Sequence, residues 1–367
     1  MMMWILLMVV LLVLTVVGFV YLTSRLARFQ VMGKTPRRAK ITSAIVLAIA
    51  LAVLFLTMGL WNVAVCFIHA LLIWLIADGV AKLYHKITGR PRRCYVAGVM
   101  AIIVTVSYLG AGYYCAHHVR RTEYTVTTDK AIPAEGVKIV GFSDLHAGTV
   151  FGSDRFAEYI ERMSAEEADF AVIVGDFVDD DSSFTDMRES CEALKNLKTR
   201  YGTFYVFGNH DAGYYNNARR GYDKNDLIRC LEENGVIVLQ DETVQLMEGV
   251  LLMGRQDLQR RERLTMDALT ENINRAQYLV VLDHEPGDYD AEAAAKANLV
   301  LSGHTHGGQM IPINKVGEWT GINDRTYGYE KRGETDFIVS SGIADWALQF
   351  KTGCFSEYIV VNIVPAA

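Results

Sequence analysis

Charged residues are absent from Met1 to Leu22. At about 1.5 Å per residue, that run is long enough to cross a hydrocarbon core of about 30 Å. It has no basic leading region and no small-residue cleavage site before Arg25 and Arg28, so an uncleaved anchor is expected. Ile41 to Ala77 is a second uncharged run, 37 residues long and broken near Gly59–Asn62. It is too long for one span and suits two joined by a tight turn. Tyr95 to Cys115 makes a fourth.

From residue 136 the pattern changes to short apolar runs alternating with amphipathic stretches. Strands are expected at 136–143, 170–175, 203–208, 236–239, 244–247, 250–254, 278–283, 298–303, 337–342 and 357–364. Helices are expected from Ser153-Asp154, which can cap one, and over 184–198, 224–234, 265–274 and 288–296. Continuously apolar strands imply sheets covered on both faces, hence an α/β fold. Between the two regimes, residues 116–135 are polar and threonine-rich and read as a linker. The expected organisation is four transmembrane helices over 1–115, a linker over 116–135 and a catalytic domain over 136–367.

Charge separates the same regions. The chain carries −6 overall, but residues 1–121 hold thirteen Lys and Arg against one acid, Asp78, a net of +12; the remainder carries −18. An acidic domain argues against nucleic acid as the main partner, because phosphate binding needs cations. Arg25, Arg28, Lys34, Arg37, Arg38 and Lys40 follow the first span, and Lys82, Lys86, Arg90, Arg92 and Arg93 follow the third. The excess of basic residues in these loops places both in the cytoplasm. The protein is therefore expected at the cell membrane, multi-pass, with its catalytic domain extracytoplasmic and Asp78 reaching the cytoplasmic interface. The six cysteines form no CxxC pair and read as small buried hydrophobes rather than a cluster or a disulfide framework.

Polar residues then collect where the strands end. Asp144 and His146 follow the first, Asp176 and Asp179 the second, and Asn209, His210 and Asp211 the third. His284 follows 278–283, and His304 and His306 follow 298–303. Beyond residue 121 the chain has only these five histidines, and all five lie at strand ends. Ligands of open α/β sheets bind outside the carboxyl ends of strands. Imidazole and carboxylate together suit Mn, Zn or Fe, and a carboxylate can bridge two ions. One residue of spacing, as in Asp144–His146 or His304–His306, lets a single loop feed two neighbouring ions.

The motifs DLH (144–146), GDFVD (175–179), GNHD (208–211), H-x-P (284–286) and GHTHGGQ (303–309) resemble the calcineurin-like metallophosphoesterases, including membrane-anchored bacterial members. The resemblance covers 136–364. It implies a four-layer α/β/β/α sandwich with two divalent metal ions. One ion would take Asp144, His146, Asp176 and His306; the other would take Asp176, Asn209, His284 and His304. His210 would face the substrate, oriented by Asp179, while the role of Asp211 stays open. Many anchored members carry an arginine near the C-terminus where this chain reads Ser340-Ser341-Gly342, which leaves that one phosphate contact open.

The expected reaction is in-line attack of metal-bound hydroxide on a phosphate mono- or diester, with His210 assisting the leaving oxygen. The substrate is expected to be phosphate-linked and associated with lipid or the cell envelope, with membrane lipids as neighbours. Arg219 and Arg220, in the loop 213–223, offer a grip on a second phosphate or else sit in a solvated loop. Trp319, Tyr327 and Tyr329 either line the cleft mouth or cover the core. A pyrophosphatase on a nucleotide-linked lipid precursor and a non-catalytic metal-bound scaffold are the alternatives.

Overall fold

The computed structural model describes residues 2–89, 95–213 and 220–366, with side chains from residue 12 onward. It divides into two compact units, Met1–Gly112 and Tyr113–Ala367.

The first unit is helical. It contains α1 (Met2–Leu26), α2 (Pro36–Thr88) and the greater part of α3 (Val96–His117). Helices α2 and α3 are each long and apolar enough to cross a membrane, and Leu12–Leu26 is a shorter apolar stretch. Four separate spans are thus not resolved. Within α2 two helical stretches meet at Gly59, whose φ 77°, ψ 175° is non-helical, at the start of the break expected near Gly59–Asn62. Thr35 caps α2 and Pro36 starts it, as a helix N-terminus favours. Asp78 is buried, accepts a hydrogen bond from the Tyr21 hydroxyl at 2.8 Å and pairs with Arg25 at 2.6 Å. Arg90, Arg92 and Arg93 of the second basic loop lie outside the described residues.

The second unit is mixed α/β with two six-stranded sheets. In chain order its elements are β1 (Arg120–Thr128), β2 (Val137–Phe142), α4 (Ser153–Ser164), β3 (Phe170–Val174), α5 (Phe184–Leu194), β4 (Thr203–Val206), α6 (Lys224–Glu233), β5 (Val236–Val238), β6 (Glu242–Met247), β7 (Val250–Gly254), α7 (Met266–Thr270), β8 (Tyr278–Leu282), α8 (Tyr289–Ala294), β9 (Leu299–Ser302), α9 (Val316–Thr320), β10 (Gly328–Arg332), β11 (Thr335–Val339) and β12 (Glu357–Pro365). One sheet runs β1-β12-β2-β3-β4-β5 and the other β10-β11-β9-β8-β7-β6. Alternate residues of both meet face to face: Ile139, Val172 and Val361 from the first pack with Leu252, Val280 and Leu301 from the second. Fully burying each such side chain contributes about 1.5–3 kcal/mol. The opposite face of the first sheet carries α4, α5 and α6 through Phe156, Ile160, Met187 and Leu227, and that of the second packs α7 and α8 through Met266 and Tyr289. Double burial explains why β3, β7 and β8 are apolar throughout, and β9 as far as Ser302.

Two strands depart from the sequence reading. Residues 120–128, inside the expected linker, form β1 and pair in parallel with β12 from Arg120↔Glu357 to Thr128↔Pro365. Threonine and valine suit a half-buried edge strand as well as they suit a polar connector. The second, β10, pairs with β11. Helix α4 also starts differently: Gly152 is its N-cap, and the Ser153 hydroxyl donates to Glu189 at 2.7 Å. Among the described residues five cysteines are unpaired, with Cys191 and Cys354 buried.

Candidate metal centre

Parallel strands β2, β3 and β4 end side by side, as do β8 and β9. Each chain must turn sharply there. Asp144, His146, Asp176, His304 and His306 all adopt left-handed backbone angles, with φ from 42° to 70°. Non-glycine residues rarely sit there, and such strain concentrates where surrounding structure holds functional groups in place. Two glycines permit the close packing. A Cβ on Gly175, itself at φ 75°, would lie 2.5 Å from His284 Nδ1. A Cβ on Gly303 would lie 2.6 Å from Asp144 Oδ2.

Two sets of donor atoms result. Asp144, His146 and His306 form one, and Asp176, His284 and His304 the other; within each, the ligand atoms lie within 4.8 Å of one another. Asp176 Oδ2 is 3.1 Å from His284 Nε2 and 3.8 Å from His146 Nε2, so this carboxylate faces both sets. Asn209 Oδ1 meets His304 Nδ1 at 2.8 Å. The backbone N–H of His304 donates to both oxygens of Asp144, at 3.0 and 3.1 Å, and that of His210 donates to Asp176 Oδ1 at 2.9 Å. Every residue expected as a ligand is thereby brought to one place.

The donors suit divalent ions. Among the described residues the buried Nε2 of His146 has no hydrogen-bond partner, an arrangement that costs free energy unless an ion takes it up, and the buried Nε2 of His284 faces only the Asp176 carboxylate. Their other ring nitrogens are fixed: His284 Nδ1 donates to the Val174 carbonyl at 2.7 Å, and His146 Nδ1 to Asp179 at 3.2 Å. Such outer contacts orient a metal-binding imidazole and set which nitrogen is free. Asp179, expected to orient His210, therefore backs His146; its own Oδ1 accepts the N–H groups of Asp181 and Ser182.

Burial and mutual charge shape the titration of the metal-free centre. Burial would push the Asp176 carboxyl up, but the His284 charge and hydrogen bond outweigh it and hold it below its usual value. Burial would likewise lower His284, yet the Asp176 charge raises it well above the ordinary imidazole value. Burial, helped by the His284 charge, depresses His304 to about 4. His210 is lowered chiefly by burial. Its ring stands 5.1 Å from that of His146 and 6.3 Å from the part-exposed Trp346.

Asp211 gains a role that its motif position left open. Its buried carboxylate accepts the backbone N–H groups of Asp176, Phe177, Val178 and Gly208 at 2.7–3.1 Å, tying the loops after β3 and β4 together. Burial, with Asp176 nearby, raises it to about 6. Arg220 is buried; it donates to the Asp211 carbonyl at 2.8 Å and stacks on Tyr222, so it supports this loop rather than projecting as a phosphate grip. Tyr214, Tyr215 and Arg219 lie outside the described residues. The Tyr327 and Tyr329 hydroxyls donate to Glu357 and Asp336, which ties them to the sheets, whereas Trp319 is exposed. Sequence reasoning missed Asp345, whose carboxylate lies 3.0 Å from His306 Nδ1. It stands outside every motif, and only its place in the fold identifies it.

A two-sheet α/β fold with paired Asp/His donor sets at its strand ends defines the metallophosphoesterase class. Residues 137–308 match the family model described as calcineurin-like phosphoesterase. An uncharacterized metallophosphoesterase of Aquifex aeolicus is 32% identical over 210 residues, covering 55% of this chain and 76% of that protein. One from Helicobacter pylori is 30% identical over 238 residues, 62% of this chain and 60% of that protein. A Bos taurus protein named "Transmembrane protein with metallophosphoesterase domain" is 25% identical over 334 residues, 83% of this chain and 72% of that protein. The chain belongs to the calcineurin-like phosphoesterase family. It spans 60% of the length of the Helicobacter pylori relatives that it matches.

Proposed function

We propose that this protein is a membrane-anchored phosphoesterase that uses two divalent ions to hydrolyse phosphate mono- or diesters. The convergence of Asp144, His146 and His306 with Asp176, His284 and His304 carries this reading. Asp144, His146, Asp176 and His306 would hold one ion, and Asp176, Asn209, His284 and His304 the other. Bound there, such ions supply Lewis-acid charge for the phosphoryl oxygens and lower the pKa of water. The chain's own residues do the rest. Asp176 sets the spacing of the two sets. His210 would offer an N–H to the leaving oxygen and hand over its proton from the imidazolium form; burial lowers its pKa, so that form is the minor one at pH 7. Asp179 fixes the tautomer of His146 rather than acting on substrate.

The test is hydrolysis of a panel of phosphomonoesters and diesters by full-length protein loaded with Mn, Zn or Fe. Turnover should vanish on chelation and return with metal; a protein that binds no divalent ion, or turns over nothing in the panel, ends the proposal. Because Asp176 keeps His284 protonated in the metal-free state, metal uptake must displace that proton. Affinity should therefore rise with pH, and calorimetry in buffers of different ionisation enthalpy should record proton release.

We further propose that residues 1–115 anchor the protein through four passes, with residues 136–367 as the catalytic domain outside the cytoplasm, facing a lipid- or envelope-linked substrate. The two long apolar helices, the Bos taurus relative's name and the basic loops support this arrangement. An alkaline phosphatase fusion at the C-terminus should be active and a cytoplasm-only reporter silent. The reverse pattern would place the site in the cytoplasm and favour a nucleotide-linked substrate cleaved at a pyrophosphate.

A further inference from the structure

Lys351 is the unexpected group near the centre. It is fully buried, as is Asp345, although neither belongs to a family motif. Its ammonium donates to the carbonyls of Ser341 and Ala344 at 2.6 and 3.2 Å and to the Ser356 hydroxyl at 3.3 Å, and it lies 3.2 Å from Asp345 Oδ1. The same Oδ1 is 3.0 Å from His306 Nδ1, which also lies 3.4 Å from the Ala344 carbonyl, and the opposite ring nitrogen, Nε2, lies 3.6 Å from Asp144. A chain of contacts thus runs from Lys351 through Asp345 and His306 into the first donor set.

A fully buried lysine is costly unless paired, and a buried carboxylate equally so. Asp211 shows how this fold solves the second problem elsewhere, with four backbone N–H groups. Asp345 has no such support: among the described residues, neither of its oxygens accepts a conventional hydrogen bond. Its charge is balanced by Lys351 and directed at His306. Lys351 cannot serve as the phosphate contact that Ser341 lacks, because it is wholly enclosed and its donors are spent on carbonyls.

We propose that Asp345, anchored by Lys351, is a positioning residue that fixes His306 with Nε2 toward the metal and sets the affinity of the ion held by Asp144, His146 and His306. The pair compensates for its burial by making one imidazole a stronger and better-aimed donor. In the second set the corresponding outer partner of His284 is a neutral carbonyl, so the effect is confined to one ion. This inference rests on the two-ion reading of the centre.

Full-length protein in detergent, stripped of metal, is titrated with Co²⁺ and followed by its visible spectrum and by bound-metal analysis. Wild type should bind two ions. Asp345→Asn should keep one unchanged and bind the other about 10–100-fold more weakly, with an altered visible band. Lys351→Met should weaken the same ion, Lys351→Arg less so, and the double variant should be no worse than Asp345→Asn alone. Circular dichroism of the metal-free variants separates a folding defect from a ligand defect. Should Asp345→Asn misfold, Lys351→Met decides: one weakened ion supports the proposal, two unchanged ions overturn it. Two normal ions in a folded Asp345→Asn likewise overturn it and leave the two-ion reading intact. A wild type that takes up no Co²⁺ removes both.

Discussion

Asp176→Asn is expected to abolish turnover and to leave the protein unable to hold both ions. The carboxylate stands between the two donor sets, 3.1 Å from His284 Nε2 and 3.8 Å from His146 Nε2 through one oxygen. Its other oxygen accepts the backbone N–H of His210. Asparagine has nearly the same shape and preserves one acceptor, so the loop geometry should survive. What it removes is the negative charge and the second donor oxygen. An amide nitrogen in that place offers an N–H to a position that needs a lone pair. If two cations share that ligand as proposed, their mutual repulsion would no longer be offset, and at most one should remain. Metal analysis after desalting, beside a turnover assay, checks this. Two retained ions with ordinary turnover would remove Asp176 from its bridging role. Retained metal without turnover would shift its contribution from holding ions to the reaction itself.

The second large effect is expected at His210. Its ring lies beside those of His146 and Trp346. His210→Ala should keep two ions yet lose about 10²–10⁴-fold in kcat, the usual contribution of a positioned proton donor. Loss should be smaller for esters with good leaving groups, such as nitrophenolates, because a stable leaving anion needs less help. A variant that loses metal in step with activity would make His210 a ligand instead. Equal losses on good and poor leaving groups would remove the proton-donor role while leaving one in substrate binding.

Much of the site was legible because the chemistry is concentrated in loops of fixed order. Asp144, His146, Asp176, Asn209, His210, His284, His304 and His306 sit next to apolar runs whose ends are easy to see. Parallel strands bring such ends together whatever the helices between them contain. Residues acting on the ligands from behind were less visible. Asp179 follows its motif, yet its carboxylate meets His146, because the direction of a side chain from a loop depends on local turns. Asp345 and Lys351 carry no motif at all and lie far along the chain from His146.

The sequence by itself determined that an apolar, basic segment precedes an acidic α/β region, and which side chains gather at the strand ends as candidates for the chemistry. Hydrophobic periodicity and residue type are local properties, so these conclusions needed no partner from elsewhere in the chain. Tertiary structure alone decided that residues 120–128 are an edge strand, because pairing with β12 rather than composition makes a strand of a threonine-rich stretch. It alone decided that Asp78 is paired with Arg25 and Tyr21, that Asp211 clamps two loops, and that a buried lysine stands behind His306. Burial and charge compensation depend on what the fold brings within about 4 Å, and no linear pattern records that distance.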